Sequence, residues 1–271
     1  MSRIPQHAHR PIGVFDSGIG GLTVVKELVR QLPHEEIVYF GDTARVPYGT
    51  KSRSTIIKFS LENVEFLLRF NVKCIVIACN TSSAFALPTL RNYFKVPIIG
   101  TIRPGARAAL GASRTGRVGV IGTQATVHSG AYATELARVS GRVHVTAQSC
   151  PLFVPLVEEG WLSTPACEQI ARTYLAPLRQ ARVDTLVLGC THYPLLAPVL
   201  RRVMGPRVAL IDSARETAAE TRELLGRFGL LRQDGTPRHR FFVTDEPERF
   251  RAVGRRFLGA PLERVTRVSI G

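Results

Sequence analysis

Several protein classes are excluded by what the chain lacks. No apolar run approaches the ~18–20 residues that a membrane-spanning helix needs. The first ten residues are polar and hold no apolar centre of a secretion signal, so a cytoplasmic protein is the expectation. There is no low-complexity segment and no C-x-x-C pair. The five cysteines (74, 79, 150, 167 and 190) are odd in number and irregularly spaced. That argues against a disulfide framework and the usual zinc spacings, and for free thiols in a reducing compartment. Lysine is scarce, and none follows Lys95, so there is no sign of a pyridoxal-binding lysine in the later chain. Acidic residues are also few, 21 against 36 basic ones, for a net charge of +15. A charge of this sign raises nucleic-acid binding. No basic run exceeds two residues (Arg201-Arg202 and Arg255-Arg256), however, and no aromatic-rich sheet motif accompanies them. Charge alone gives weak, salt-sensitive affinity. The arginines read instead as solvated helix faces whose field also attracts a small acidic substrate, and no nucleic-acid partner is expected.

Strand-like runs alternate with helical patterns along the 271 residues. Strands are expected at 12–15, 37–40, 74–78, 97–100, 117–121, 143–147, 186–188 and 208–211. Helices are expected at 22–32, 55–70, from 80 through 90, and at 131–139, 166–179 and 195–203. Alternation at this spacing means βαβ units and a mainly parallel sheet. Two segments share one pattern. Ile75-Val-Ile-Ala-Cys79-Asn-Thr81 and Leu186-Val-Leu-Gly-Cys190-Thr-His192 are each an unalternating apolar run ending at a cysteine. The two cysteines lie 111 positions apart (79 to 190). Phe15-Asp-Ser-Gly18 and Val120-Ile-Gly-Thr123 form another similar pair. The expectation is an α/β fold of two similar βα sandwich domains, with mainly parallel sheets related by approximate twofold pseudosymmetry. Residues 1–101 plus 211–271 would form the first domain, on the Cys79 side. Residues 102–210 would form the second, on the Cys190 side.

A buried parallel strand delivers its last residue to the C-terminal edge of the sheet, where open α/β sheets bind ligands. One thiol on each such edge suits an enzyme that takes a proton from one face of a carbon and returns one to the other. Asn80-Thr81 and Thr191-His192 are expected to start helices whose dipoles lower the thiol pKa values. Cys74, Cys150 and Cys167 read as ordinary buried cysteines. A metal site on Cys79, Cys190 and His192 is an alternative without a supporting spacing. The turn Phe15-Asp-Ser-Gly-Ile-Gly-Gly-Leu22 suggests anion binding at a helix start. It is not a dinucleotide fingerprint, although Asp42 stands about where a ribose-binding acid would, because Thr23 occupies the third glycine position. The bland reading is a tight turn that caps a helix. Asp16 could be an N-cap, a general base or a partner for a substrate amino group. Loop 41–49 could form a pocket wall, with Tyr48 and the Gly49 amide as donors. His192 could deprotonate Cys190 or touch a substrate. Glu158 becomes an acid/base candidate only if its helix packs against the second cysteine.

Seven segments in order resemble the glutamate racemases of the aspartate/glutamate racemase superfamily. They are Phe15-Asp-Ser-Gly-Ile-Gly-Gly-Leu-Thr23, Gly41-Asp-Thr-Ala-Arg-Val-Pro-Tyr-Gly49, Ala78-Cys-Asn-Thr81, Pro104-Gly105, Gly122-Thr-Gln-Ala-Thr126, Val154-Pro-Leu-Val-Glu158 and Gly189-Cys-Thr-His-Tyr-Pro-Leu195. The likeness runs from about residue 11 to 259, leaving the first ten residues as an extension. Ser82-Ser83 departs from a frequent Ala-Ser and should not touch the chemistry. The resemblance implies cofactor-independent interconversion of L- and D-glutamate, with D-glutamate supplied to peptidoglycan synthesis. It also implies a homodimer. It makes Cys79 and Cys190 the two acid/bases, with Asp16 assisting Cys79, and Glu158 and His192 assisting Cys190. Substrate contacts would come from Asp16, Ser17, Pro47, Tyr48, Gly49, Asn80, Thr81, Thr123, Thr126, Thr191 and His192.

Overall fold

The computed structural model describes residues 6–270. Residues 1–5, half of the stretch expected to be an extension, and residue 271 lie outside the described residues. Two sheets organise the chain. The first contains β1 (Ile12–Asp16), β2 (Ile37–Gly41), β3 (Cys74–Ile77), β4 (Ile98–Gly100), β9 (Arg240–Val243) and β10 (Val265–Arg267), in the order β10-β9-β2-β1-β3-β4. The second contains β5 (Arg117–Gly122), β6 (His144–Ser149), β7 (Thr185–Gly189) and β8 (Ala209–Asp212), in the order β6-β5-β7-β8. Every pairing in both is parallel. The order β2-β1-β3-β4 in the first sheet is repeated as β6-β5-β7-β8 in the second, which is the internal likeness read from the cysteine segments. In each, the first strand of the repeat lies between the next two. The chain winds one way from it and then the other, and that reversal opens a crevice at the strand tips.

The apolar runs form strands because helices cover both sheet faces. β1, β2, β3, β4 and β7 are buried along their whole length. β6, at an edge, is half-exposed. Helix α1 (Leu22–Gln31) follows the glycine turn, α2 (Arg53–Leu68) is capped by the Ser52 side chain, and α3 (Asn80–Tyr93) begins directly after Cys79. In the second half come α4 (Ile102–Ala112), α5 (Gln124–His128), α6 (Ala131–Val139), α7 (Phe153–Glu158), α8 (Pro165–Gln180) and α9 (Ala197–Met204). Helix α10 (Ser213–Arg227) lies against α1 and α4, and α11 (Pro247–Leu258) packs on α1 before the chain ends in β10. All eight expected strands are present. Helices α4, α5, α10 and α11 and strands β9 and β10 were not anticipated. The five cysteines are free and buried, with Cys74 in β3, Cys150 after β6 and Cys167 in the first turn of α8. Among the described residues no helix is long and apolar enough to cross a membrane.

Helix α8 illustrates the packing. Thr164 caps it by accepting from the Cys167 N–H, Pro165 occupies the first turn, and Cys167, Ala171, Leu175 and Leu178 make its buried stripe. Leu175 is fully buried. Leu175→Ala should therefore cost about 2–5 kcal/mol in urea denaturation. A loss below about 1 kcal/mol would contradict the close packing inferred there.

Candidate active site

The first wall of the site is the C-terminal edge of the first sheet. Asp16 ends β1 and is 1% exposed. Its Oδ2 accepts from the Gly18 N–H at 3.0 Å, while its buried Oδ1 has no hydrogen-bond partner among the described residues. Burial raises its pKa, against the opposing charge of His192 and the backbone N–H bonds. Cys79 caps α3, its sulfur accepting from the Ser82 N–H at 3.5 Å and lying 3.8 Å from Ser17 Oγ. The expected lowering of its pKa is not met. Burial pushes the thiol up to about 11, the Asp16 charge adds to the rise, and the Ser82 bond and Ser17 only oppose it. One N–H at a helix start does not offset loss of water plus a neighbouring carboxylate.

Loop 42–50 carries two 3-10 turns, Thr43–Arg45 and Tyr48–Thr50. Tyr48 is buried and is one of the residues lining the cleft. Its hydroxyl, however, donates to Asp42 Oδ2 and accepts from Asn63 Nδ2 at 3.2 Å, so it is no free donor to a substrate. Asp42 also accepts from Arg45 Nε at 2.6 Å and Thr244 Oγ1 at 3.2 Å. It is a fully buried anchor of the loop, which removes it as a ribose binder. Gly49 presses this loop against the opposite sheet: a Cβ there would stand 2.7 Å from Thr123 Cβ. Thr81, Thr123 and Thr126 place three hydroxyls mutually 3.0 Å apart, tying the start of α3 to the tip of β5. Asn80 Oδ1 accepts from the Tyr132 hydroxyl of α6 at 2.7 Å.

The second wall follows β7. Cys190 is 6% exposed. The helix expected to start at Thr191 does not. A turn leads into the 3-10 segment Tyr193–Leu196 before α9 begins. Pro194 and Pro198 each remove a backbone donor that an α-helix would need there. His192 takes over the electrostatic role. Its Nδ1 lies 3.9 Å from Cys190 Sγ and its Nε2 lies 3.0 Å from Glu158 Oε1. Burial opposes its protonation, but the hydrogen bonds to Cys190 and Glu158 win and raise its pKa to about 10. The bond to His192 in turn lowers the Glu158 pKa. Helix α7 does pack on the segment after Cys190. The Phe153 ring meets Tyr193 edge-on at 5.3 Å, and the Tyr193 hydroxyl donates to Cys150 O at 2.9 Å. Glu158 thus reaches Cys190 through His192.

Both thiols line one cavity of about 400 Å³. Ser17, Pro47, Tyr48, Gly49, Asn80 and Thr81 line it with Cys79, and Thr123, Glu158, Thr191 and His192 with Cys190. Asp16 and Thr126 are buried behind the wall. Ile19, Val46, Gln124, Val154 and Pro155 also line it and were not anticipated. Val154 and Pro155 open the motif that ends at Glu158, so their segment was readable although their role was not. The volume lies near the lower end of ligand pockets, ~300–1,000 Å³, and suits one small molecule. Among the described residues no group of three His, Cys, Asp or Glu is placed to share a metal ion, so Cys79, Cys190 and His192 are not a ligand cluster.

The sequence matches the Asp/Glu/Hydantoin racemase family over residues 12–221. The chain belongs to that family. A glutamate racemase of Geobacter metallireducens is 52% identical over 262 residues, 96% of this chain and 97% of the relative. The crystal structure of glutamate racemase isoform RacE1 from Bacillus anthracis superposes with a TM-score of 0.94 at 42% identity, covering 97% of this chain and 98% of that one. Glutamate racemase from Francisella tularensis, solved in complex with D-glutamate, gives 0.91 at 42% identity, with the same coverage of both chains. The protein is accordingly an isomerase, a racemase.

The two walls of this racemase meet at a glycine. A Cβ on Gly20 would fall 2.2 Å from Thr191 Oγ1 and 2.5 Å from two atoms of the His192 ring. Thr23, where a fingerprint glycine would stand, places its hydroxyl 3.0 Å from the Thr191 carbonyl. Gly20→Ala must move His192, so racemase activity should drop at least about tenfold, with about 1–3 kcal/mol of stability lost. Gly111→Ala, on an open face of α4 with nothing within 4 Å, should leave activity unchanged and hold or raise stability. Equal activity in the two variants would contradict the contact.

Proposed function

We propose that this racemase interconverts L- and D-glutamate by a two-cysteine mechanism that needs no cofactor, and that it supplies D-glutamate for peptidoglycan. The observation that carries the reading is one small cavity with a free thiol on each of two repeated strand ends. In one direction a thiolate removes the α-proton and becomes a thiol. The electron pair stays on the α-carbon, and the opposite thiol donates its proton to the other face and becomes a thiolate. The roles reverse for the other enantiomer. Asp16, buried behind the wall, assists Cys79 as its proton acceptor and charged neighbour. His192, oriented by Glu158, stands by Cys190.

An amino acid's α-proton is far less acidic than a thiol, so the carbanion-like state needs fixed dipoles in a water-poor cleft. Ser17, Asn80, Thr81, Thr123 and Thr191 supply polar groups on its walls, and a protonated His192 adds positive charge for an anionic substrate. The hydroxyl triangle keeps Thr81 and Thr123 in place, with Thr126 behind them.

The test is circular dichroism of L-glutamate with purified enzyme and no added cofactor. The wild type should erase the signal, while Cys79→Ala and Cys190→Ala should each lose about 10²–10⁴-fold in rate. Racemisation of aspartate instead of glutamate would overturn the substrate assignment alone. Full activity in either cysteine variant would overturn the mechanism. The pH profile of kcat/KM should be bell-shaped. Both Cys79 and His192 hold their protons above the ordinary values, so the acid functions they supply are present at neutral pH. They are lost as pH rises through about 10 for His192 and about 11 for Cys79. A rate that stays flat across that range would contradict these roles.

A further inference from the structure

Helix α11 grips the Glu158–His192 pair from outside the cleft. Arg256 Nη1 donates to the carbonyl oxygens of Val157 and Glu158, both at 2.9 Å. The next residue, Phe257, lays its ring against His192 at 5.1 Å and 83°. Two consecutive side chains therefore hold the two members of the pair. Arg249, earlier on α11, reaches Glu158 Oε2 only at 3.5 Å; both arginines are exposed, and what sets Arg256 apart is its pair of 2.9 Å bonds to main-chain carbonyls.

The bonds from Arg256 are more than a routine helix cap. Helix α7 already closes its own end: Gly160 lies in the left-handed region at φ 79, its N–H bonds Val157 O at 3.1 Å, and the Trp161 N–H bonds Leu156 O at 2.8 Å. The guanidinium adds two charge-assisted bonds from 98 and 99 positions away, one of them to Glu158 itself. Gly160 also makes room for it, since a Cβ there would stand 2.9 Å from Arg256 Nη2. A helix of six residues has little stability of its own, so where its last side chain points depends on such outside contacts.

We propose that Arg256 is a positioning residue for proton transfer at Cys190: by holding the end of α7 it aims the Glu158 carboxylate at His192. The proposal rests on the two-cysteine reading above. The charged and titratable groups facing His192 are Asp16 from the tip of β1, Cys190 from the end of β7 and Glu158 from α7, with Arg249 and Arg256 of α11 beyond Glu158. Releasing Glu158 removes the hydrogen bond that favours the protonated ring, so His192 gives up its proton at lower pH.

The test compares the full-length wild type with R256A, R256K and R255A. Arg255 is an exposed neighbour that makes no ion pair among the described residues, so it controls for the loss of charge. R256A should lower kcat by about 10- to 100-fold with a much smaller change in KM, as a misaimed catalytic group does. Its basic pH limb should move to lower pH. The primary deuterium isotope effect with α-deuterated substrate should rise only for the enantiomer whose proton Cys190 removes. R256K, whose ammonium reaches the same carbonyls, should recover most of the rate, and R255A should match wild type. Should R256A fail to fold, R256K carries the same readouts with smaller changes. A purely structural cap would lower activity only in proportion to the folded fraction, leaving pH limb and isotope effect unmoved. That result, or an R256A no worse than R255A, would overturn the proposal. An inert wild type would overturn the two-cysteine reading together with it, whereas an active wild type beside an indifferent R256A overturns the clamp alone.

Discussion

Parallel strands deliver the residues that follow them to a single edge of the sheet. This chain builds two such edges with the same strand order and closes them on one cavity. Everything at the site depends on that meeting. Proton exchange on both faces of a carbon requires groups on both sides of it, and no single strand end can place two. Contacts across the seam keep the edges together: the Gly20 backbone against Thr191 and His192, Gly49 against Thr123, and the hydroxyl triangle of Thr81, Thr123 and Thr126.

The two thiols are not electrostatically alike. Cys79 lies near the buried Asp16 carboxylate, and both desolvation and that charge favour its neutral form. Cys190 instead has the His192 ring beside it, Nδ1 3.9 Å from its sulfur, with Glu158 on the far side of the ring. The two sulfurs therefore meet different partners, a carboxylate on one wall and an imidazole on the other.

The central strands were legible because strands buried on both faces must be apolar without alternation. β1, β2, β3, β4 and β7 therefore stood out as short apolar runs between turn residues. Helix α4 escaped notice because Pro104, Gly105 and Gly111 give it the composition of a loop. Helix α10 buries mainly alanines and threonines, with Leu225 as its one large apolar residue in the buried stripe, which blurs the periodic signal. β9 and β10 each carry an exposed arginine and partly exposed positions, so neither reads as a buried apolar run. At the site, the residues at strand tips were readable because topology sends them to one edge. The Tyr48 hydroxyl was misassigned because its bond to Asp42 is a property of the folded loop. The absent helix after Cys190 was readable in principle from Pro194 and Pro198. The hold of Arg256 on Glu158 joins residues 98 apart, and no local pattern encodes it.

The most direct test of the two-sided mechanism is racemisation of L-glutamate in D₂O, followed by proton NMR at low conversion. Two separate thiols acting on opposite faces predict D-glutamate that carries deuterium at the α-carbon, while the remaining L-glutamate keeps its proton. Early deuterium in the unconverted L-glutamate at a rate matching product formation would mean that one base serves both faces, and would contradict the account.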